Sequence, residues 1–472
     1  MKVKQRRTHS SRSLFILVSV IFAIFFHQAR ISLFISYIVL FVSFAIGLAF
    51  FIKDSRRFNL PLILNGNFLT LLSLFLIFII APLARVKLMT ELPAVFALRD
   101  WQTSYPKVNI LVCAAIFALI SGSSISRENP SALNLQLEPL NINTRKAQNF
   151  SAFLILILAV YFLNWVRSQG SIFEVLFGSR ARKRSIGIDY SNGYALETLY
   201  AIFGIMSFWY FIAVLRQYRS KYVLLVVSGA LLTPALFTGN RYAVIYYGLV
   251  LVLINFGKTR LVNKNIAIFL IILLPLIVVI PREARNSVVG LNTQTGSQLF
   301  TKNAFLKTFT GNDLAMAPAF SILIGSESPR LNGSTYIGML VKPIPRNLWP
   351  SKPIPIDTQI MFRLFPEVAP YTGFAFSALS EPYLNFGPMG VVLFFLLLGK
   401  LNSRLFKGAS KKGGIYIYLN AWISAFMIYL MRGNLSMDIQ RCAFPLIISL
   451  LPFLMFQKKK ESQVKNRDLI SD

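Results

Sequence analysis

The chain has 472 residues, of which 55% are hydrophobic and 14% are charged, and its mean hydropathy is +0.58. Soluble enzymes of this length are less apolar, and several apolar runs here reach the roughly 20 residues that a helix needs to cross a bilayer. The net charge of +31 fits basic loops on the cytoplasmic side of a membrane better than nucleic-acid binding, which we do not expect. We therefore predict an all-α polytopic membrane protein with a single membrane domain, residues 1–472.

The apolar runs predict twelve transmembrane helices, which puts both termini on the same side. The first run is short and follows a basic N-terminus, but no small-residue cleavage site comes after it, so we interpret it as a span and not a signal peptide. The predicted spans are Ser13–Phe26, Ile31–Ile52, Leu62–Leu83, Val108–Ser121, Ser151–Val166, Tyr194–Leu215, Tyr222–Phe237, Tyr242–Asn255, Ile266–Ile280, Gly387–Leu401, Ile415–Met431 and Ala443–Phe456.

The distribution of basic residues predicts the orientation. With both termini cytoplasmic, the cytoplasmic segments hold 26 Lys and Arg, against 12 on the other side outside one long loop, residues 282–383, when Lys400 and Arg441 are counted separately as span ends. Short loops rich in Lys and Arg stay on the cytoplasmic side of a membrane. The excess of basic residues on that side therefore indicates that the long loop is periplasmic. The segment Arg167–Gly193 is basic and yet falls outside. Either the topology differs there or its cations meet lipid phosphates of the outer leaflet, and we favour the lipid contact.

Metal and disulfide chemistry have little support in the sequence. The two cysteines, Cys113 and Cys442, lie in or beside apolar runs, and the two histidines, His9 and His27, lie near the N-terminus. We therefore expect no disulfide framework, no imidazole-based metal site and no cofactor. The centres of the predicted spans carry no Asp, Glu, Lys or Arg, which favours work at one membrane face over transport through the membrane.

The long loop contains a proline-rich segment, Val341–Pro355, with five prolines. Proline fixes φ and removes a backbone donor, so neither a helix nor a central strand can pass through this segment. A stiff, extended segment would present Arg346 and Lys352 to an anion at little ordering cost. The alternative is a turn that routes the chain across the membrane surface.

Other arginines recur at the predicted mouths of the spans. Each one alone could be an interfacial anchor that reaches lipid headgroups. Together with the proline-rich segment they suggest a cationic basin that binds phosphate or diphosphate, because guanidinium groups clamp phosphate oxygens in a bidentate manner. The candidate diphosphate-binding residues are Arg241, Arg282, Arg285, Arg346, Lys352 and Arg432.

Two carboxylates are candidates for a general base. Glu381 stands beside Pro382 at the predicted membrane boundary, and Asp357 lies close to the proline-rich segment. A carboxylate at the boundary could take a proton from a substrate hydroxyl. The alternative for Glu381 is an acidic residue at a helix N-terminus, where the helix dipole favours negative charge.

Two stretches resemble a known family. Ile344–Pro353, read IPRNLWPSKP in a long outer loop, and Glu381–Gly387, read EPYLNFG, resemble the O-antigen or oligosaccharide repeat-unit polymerases of bacteria, the Wzy type. The turns Thr238–Arg241 and Arg432–Asn434 are similar to that family's other arginine-bearing turns. The twelve-span plan with a large periplasmic loop between spans nine and ten fits along most of the chain.

The resemblance implies a glycosyltransferase in the bacterial inner membrane that acts at the periplasmic face. Its substrates would be undecaprenyl-diphosphate-linked oligosaccharide repeat units, joined into O-antigen, capsular or exopolysaccharide chains. An acceptor hydroxyl would attack the anomeric carbon, Glu381 or Asp357 would be the catalytic base, and the cationic residues would stabilise the leaving diphosphate without a metal. Membrane lipids, a chain-length regulator and a flippase of the same pathway are the further partners that this interpretation predicts.

Three other functions remain open from the sequence. An O-antigen ligase would use the same donor chemistry with a lipid A-core or protein acceptor. A flippase would move lipid-linked oligosaccharides, although uncharged span centres argue against it. A non-catalytic assembly protein would not need arginines at so many outer turns.

Overall fold

The structure is a computed structural model that describes residues 2–26, 32–58, 60–88, 102–125, 142–168, 194–232, 241–259, 314–326, 328–341, 349, 356–366 and 376–457. Within these residues the chain is helical apart from turns and short connections, and an isolated antiparallel bridge joins Ile142 to Gln457. The prediction of an all-α protein is therefore confirmed for the described residues of the chain.

Fifteen described α-helices, labelled here in chain order, make up the fold, and a π-helical turn at Leu76–Ile80 joins the third to the fourth. The helices are α1 Lys2–Phe25, α2 Leu33–Phe58, α3 Gly66–Phe75, α4 Ala81–Leu88, α5 Tyr105–Ile125, α6 Thr144–Ser168, α7 Tyr194–Arg216, α8 Lys221–Ala230, α9 Arg241–Thr259, α10 Met316–Gly325, α11 Ser334–Val341, α12 Ile356–Leu364, α13 Ser380–Lys411, α14 Ile415–Arg432 and α15 Leu435–Phe456.

Eight helical segments among the described residues are long and apolar enough to cross a membrane. They correspond to predicted spans two to six and ten to twelve. Shorter apolar helices overlap the first, seventh and eighth predicted spans, at Leu14–Phe25, Lys221–Ala230 and Val244–Phe256. The ninth, Ile266–Ile280, lies outside the described residues. The membrane class is supported by these lengths and compositions, and the count of twelve stays a prediction.

Contacts between helix ends assign the helices to two ends of the bundle. We call the end where α13 begins the Glu381 end and the end where α15 finishes the opposite end. The ring of Phe26, just after α1, lies 5.8 Å from that of Tyr383, so α1 finishes at the Glu381 end. The backbone N–H of Asn143 donates to the carbonyl of Phe456 at 3.0 Å, so α6 begins at the opposite end. The first described helix therefore begins, and the last one ends, at the opposite end.

Close backbone packing joins α5 and α13 in the core. A side-chain carbon added at Gly122 would overlap the carbonyl oxygen of Leu396, and one added at Gly399 would overlap that of Leu119. Small residues let helices in a membrane approach closely, where dispersion contacts replace the hydrophobic driving force. These two glycines therefore fix the contact between two of the predicted spans.

Uncharged polar side chains join α3, α13 and α14 inside the bundle. Asn402 donates from Nδ2 to Oδ1 of Asn67 at 3.1 Å, and Asn67 donates to the carbonyl of Gly399 at 3.2 Å. Asn420 donates to the carbonyl of Leu64 at 2.8 Å. Each hydrogen bond gives a buried amide nitrogen an acceptor on another segment, which supports packing without placing a charge in the apolar interior.

The predicted long loop contains three described helices, α10 to α12. The first of them, α10, is buried and apolar, and the sequence interpretation missed it because ten residues are too few for a span. Helix α11 ends at Val341 and α12 begins at Ile356, so the described helices stop at the two borders of the proline-rich segment. Within that segment only residue 349 is described, as an exposed Trp. The periplasmic location of the loop stays a prediction.

Candidate active site

Glu381 lies in the first turn of α13, and its side chain is buried. Oε2 accepts a hydrogen bond from the backbone N–H of Ser436, in the first turn of α15, with 3.0 Å between the two atoms. The Leu435 amide and the hydroxyls of Thr335 and Ser436 also lie close to the carboxylate. Oε1 makes no hydrogen bond of ordinary geometry within the described residues of the chain.

The position of Glu381 therefore has a structural explanation of its own. Helix N-termini present unpaired backbone N–H groups and a partial positive charge, which stabilise a nearby carboxylate. Glu381 stands in the first turn of its own helix and also caps α15. This is the geometry of the dipole alternative that the sequence left open, extended to a second helix 55 residues further along the chain.

Asn385 ties the start of α13 to the start of α11. Its Nδ2 donates to Oγ1 of Thr335 and to the carbonyl of Glu381, each at 2.8 Å. Its Oδ1 accepts from the backbone N–H of Gly333, also at 2.8 Å. All three hydrogen bonds are made by one buried amide, so Asn385 fixes the separation between Thr335 and Glu381.

Arg330 packs over the same turn of α13. Its Nη1 donates to the carbonyl of Tyr383 at 2.7 Å, and its guanidinium lies 4.6 Å from the centre of the Tyr383 ring. Gly387 then interrupts the helix with φ 68° and ψ −157°, a conformation that is open essentially to glycine alone. A side-chain carbon added there would lie 3.4 Å from the guanidinium of Arg330. The kink and the stacked arginine therefore belong to one local arrangement.

Tyr336 lies beside the carboxylate in α11. Its ring stacks on that of Phe386, with the ring centres 6.2 Å apart. Burial, and to a smaller extent the nearby charge of Glu381, raises the pKa of the Tyr336 hydroxyl above its ordinary value. This tyrosine therefore stays protonated at neutral pH.

A two-residue turn, Gly433 and Asn434, joins α14 to α15 at the Glu381 end. The segment before α13 docks on the end of α14, since the backbone N–H groups of Ser377 and Ala378 donate to the carbonyls of Arg432 and Met431, each at 3.3 Å. Ser377 adopts a positive φ of 68° at this contact. The predicted turn at Arg432–Asn434 is therefore confirmed, and it adjoins the N-terminus of the Glu381 helix.

A second carboxylate, Asp438, lies next to this turn. A side-chain carbon added at Gly433 would overlap Oδ2 of Asp438, so only glycine leaves room for the carboxylate. Oδ1 of Asp438 pairs with Nη1 of Arg441 at 2.9 Å, and that nitrogen also donates to the hydroxyl of Tyr429. The hydroxyl of Tyr247 donates to the carbonyl of Arg441 at 2.8 Å. These contacts tie the second turn of α15 to α9 and α14.

The other predicted site residues have different outcomes. Arg241 begins α9 and Asp357 lies in the first turn of α12, but their side chains are not among those described. Helix α9 begins at the Glu381 end, because the ring of Tyr246 lies 5.9 Å from that of Tyr429. Arg432 ends α14 and is half-buried at the same end. The predicted residues that lie outside the described residues of the chain are Arg282, Arg285, Arg346 and Lys352.

Several residues at this end were not singled out from the sequence. Asn385 lay inside a quoted motif without a role, and Arg330 was only one of many loop cations. Asp438 and Arg441 are three residues apart, and this spacing in a predicted helix could have indicated an ion pair. No spacing rule indicates that Gly433 makes room for Asp438, because that contact depends on the turn between the helices.

The described residues contain no group of three or more His, Cys, Asp or Glu side chains that could hold a metal ion. The chemistry available at the Glu381 end is that of carboxylates fixed by helix N-termini and guanidinium groups. Such an arrangement can hold negative charge, accept a proton and orient an anionic substrate.

Comparison with known families supplies the last observation. Residues 359–460 match the family described as O-antigen polysaccharide polymerase Wzy. This match over part of the chain supports the Wzy-type family. The matched region contains Glu381, the kink at Gly387, the Arg432–Asn434 turn and the pair formed by Asp438 and Arg441. No curated protein and no solved structure matches the chain.

The Wzy-type match confirms the resemblance seen in the sequence. It covers one of the two stretches that carried that resemblance, Glu381–Gly387, and leaves out the other, Ile344–Pro353. The polymerase family and the apolar helices together support a membrane-embedded polysaccharide polymerase.

Proposed function

We propose that this protein is a glycosyltransferase that polymerises oligosaccharide repeat units carried on undecaprenyl diphosphate. The observation that carries the proposal is that the Wzy-type match contains Glu381, the Arg432–Asn434 turn and the pair formed by Asp438 and Arg441. The reaction takes place at this end, which faces the periplasm. The products are O-antigen, capsular or exopolysaccharide chains.

The chemical step is a displacement at the anomeric carbon of the growing chain. A hydroxyl of the newly arrived repeat unit attacks that carbon, the bond from carbon to the diphosphate oxygen breaks, and lipid diphosphate leaves with the bonding electrons. Glu381 takes the hydroxyl proton through Oε1, while Oε2 stays on the amide of Ser436. Asp357 is the second candidate for the base.

The leaving diphosphate carries increasing negative charge and needs fixed cations around it. Guanidinium groups stabilise such charge in the transition state without a metal ion. The Arg432 backbone already belongs to the described site, and Arg330 lies beside Tyr383 near the kink. The cationic group in this proposal consists of Arg241, Arg282, Arg285, Arg346, Lys352 and Arg432.

The direct test is polymerisation by the purified protein in detergent. Lipid-linked repeat units are added, and the products are separated by size. A ladder of products supports a polymerase, and an unchanged monomer band with correctly folded protein contradicts it. Transfer only to an added lipid A-core would instead identify a ligase. Lipid exchange across a vesicle bilayer without a ladder would identify a flippase.

The proposed cationic group has its own test. Arg346→Ala should abolish the ladder while the protein still inserts and purifies, whereas Arg404→Gln, an exposed cation of the opposite end, should leave the ladder unchanged. A normal ladder from the Arg346→Ala variant would refute the role of that residue in binding diphosphate.

The orientation is tested by labelling a single accessible cysteine. Both natural cysteines are buried, so Ser334→Cys at the start of α11 adds the reactive thiol without removing others. A membrane-impermeant maleimide should label it from the periplasmic side of intact cells. Labelling only after the cytoplasm is exposed would reverse the proposed orientation.

A further inference from the structure

A cavity of about 370 Å³ lies between α6, α7 and α8. It is at the opposite end of the bundle, away from Glu381, because the start of α6 contacts the end of α15. Its volume falls within the range of about 300–1,000 Å³ typical of small-molecule sites. The cavity is therefore large enough for a portion of a ligand and separate from the candidate active site.

The lining of the cavity changes from polar to apolar along α6. Thr144, Gln148 and Ser151 line the region near the start of the helix, and Ile155 lies about a turn deeper. The facing side chains of α7 are apolar, among them Trp209. A ligand that fits this lining has a polar head at the end of the bundle and an apolar tail toward its middle.

The cavity borders the apolar surface that faces lipid. Helix α6 buries only 17% of its apolar window inside the protein, and its side chains Phe153, Leu156 and Val160 are exposed. On α8, Val223 lines the cavity and is also largely exposed. An acyl chain of the surrounding membrane that lies against the bundle can therefore enter the cavity from the side.

The polar end of the cavity is strongly basic. Arg216 lies beside it and donates from Nη1 to two lining residues, to Oγ1 of Thr144 at 3.1 Å and to the hydroxyl of Tyr218 at 3.4 Å. The sequence contains no Asp or Glu at 142–168 or at 209–224, which include the residues of the lining. The cations near the cavity, at the start of α6, at the end of α7, in the turn after it and at the start of α8, are Arg145, Lys146, Arg216, Arg219 and Lys221.

We propose that this cavity binds an anionic phospholipid of the surrounding leaflet. The phosphate of the headgroup pairs with Arg216 at the mouth, near the hydroxyls of Thr144 and Ser220, and an acyl chain lies along Ile155 and Trp209. Basic groups near a membrane surface favour anionic lipids by about 1 kcal/mol each, which is about a fivefold preference per charge. A zwitterionic lipid lacks the net charge that this surface selects.

The test is native mass spectrometry of the full-length protein in detergent with added phosphatidylglycerol or phosphatidylcholine. The wild-type protein should retain phosphatidylglycerol in preference to phosphatidylcholine. Arg216→Gln should lower that retention about fivefold. Ala152→Trp should also lower it, because the larger side chain fills the cavity from α6. Gel filtration of each variant checks that it is folded.

Matched controls separate a specific site from general charge. Arg404→Gln removes an exposed cation of the same end on α13, and Phe153→Trp enlarges a neighbouring side chain of α6 that faces lipid. Both should retain phosphatidylglycerol like the wild type. Equal retention of the two lipids by the wild type, or equal losses in the controls, would overturn the proposal.

A free phosphate is the other source of the same chemistry. Inorganic phosphate added in place of lipid should neither bind detectably nor displace phosphatidylglycerol, because it leaves the apolar region of the cavity empty. Phosphate binding that is lost in Arg216→Gln and kept in Ala152→Trp would assign the site to a phosphate ion and overturn the lipid proposal. If Ala152→Trp does not fold, the lipid proposal is decided by the retention of phosphatidylglycerol in Arg216→Gln, compared with that in its control Arg404→Gln.

Discussion

The two ends of the helix bundle treat charge in different ways. At the Glu381 end, the carboxylates of Glu381 and Asp438 are buried, one on a helix N-terminus and the other on a guanidinium. At the opposite end, Asp54 and Lys407 are also buried, but cations such as Arg216 and Arg404 are exposed. A charge that protein groups hold in place is suited to catalysis, since the dipoles of those groups are already oriented when the reaction begins. An exposed charge is suited to a membrane surface.

Positive φ angles occur at both ends of the bundle, and those of the opposite end are at Gln217, Gly413 and Gly414. The Glu381 end contains positive φ angles at Ser377, Asn332, Gly333 and Gly387 and the two-residue turn between α14 and α15. Each positive φ at a residue other than glycine has a conformational cost that the surrounding contacts must offset. The contacts around Ser377 and Asn332 therefore hold the backbone of this end in a less common conformation.

The largest expected effect tests whether Glu381 acts as a base or only as a cap. Glu381→Gln keeps an acceptor oxygen for the amide of Ser436 but cannot take a proton. We expect the polymerisation rate to fall by about 100- to 10,000-fold, the usual contribution of general base catalysis, with little change in thermal stability. The ladder assay and a thermal melt of the same preparation measure the two quantities. An active but less stable variant would assign Glu381 to capping alone.

The matched control lies at the other end. Asp54→Asn also replaces a buried carboxylate by its amide, near the end of α2. The amide cannot make the same contacts as the carboxylate, so the stability of the variant should fall. Its polymerisation rate per folded molecule should stay within about threefold of the wild type. A loss as large as that of Glu381→Gln would remove the distinction between the two ends.

The next effect concerns the space that Gly433 leaves for Asp438. Gly433→Ala forces a methyl group against the carboxylate, and overpacking of this kind costs about 1–3 kcal/mol. We expect a value near the upper limit, because Arg441 holds the carboxylate in place. Unfolding by dodecyl sulfate in mixed micelles measures the change in the free energy of unfolding.

A double variant distinguishes this clash from a general effect on the turn. Asp438→Ala removes the atoms that the new methyl group would meet. The effects of Gly433→Ala and Asp438→Ala should therefore not add, with a coupling of about 1 kcal/mol or more in the favourable direction. Additive effects would mean that the turn tolerates a side chain at Gly433 and that Asp438 does not depend on it.

The sequence predicted the helices better than their ends. The span predicted at Ile415–Met431 is found at Ile415–Arg432, because a continuous apolar run leaves little freedom. Helix α13 begins at Ser380, whereas the span was predicted to begin at Gly387. Pro382 is compatible with a first helical turn, where no backbone donor is needed, so it did not have to mark a loop. Gly387 and Pro388 then mark a kink and not a helix start.

The site was only partly predictable, for a different physical reason. Glu381 was recognised as a carboxylate at a helix N-terminus, which is a local property of the sequence. Its contact with Ser436 joins two helices and depends on how α13 and α15 pack, so no local pattern could indicate it. The same holds for Asn385, whose role depends on α11. Helix α10 was missed because a buried helix of ten residues looks like a stretch of loop.

A substitution at the Gly387 kink, also at the Glu381 end, should have a smaller effect, and this effect is on stability. Gly387→Ala would place a side chain at φ 68° and ψ −157°, which costs about 1–3 kcal/mol. Gly229→Ala in α8 is the matched control, because nothing lies within 4 Å of the added carbon. Because Gly229 lies in a helix, Gly229→Ala should leave the free energy of unfolding unchanged or raise it by up to about 1 kcal/mol. Equal results for the two variants in mixed micelles would show that the kink is not strained.

The smallest effect tests whether the two ends work independently. Arg216→Gln should leave the polymerisation rate in detergent within about twofold of the wild type, since distant sites without shared partners behave additively. The same variant should lose the rise in melting temperature that phosphatidylglycerol gives the wild type, because a ligand stabilises only the protein that binds it. If Arg216→Gln slows the ladder as strongly as it weakens lipid retention, the bound lipid contributes to the reaction. The division of the bundle into a reacting end and a lipid-binding end would then have to be replaced by a coupling between the two.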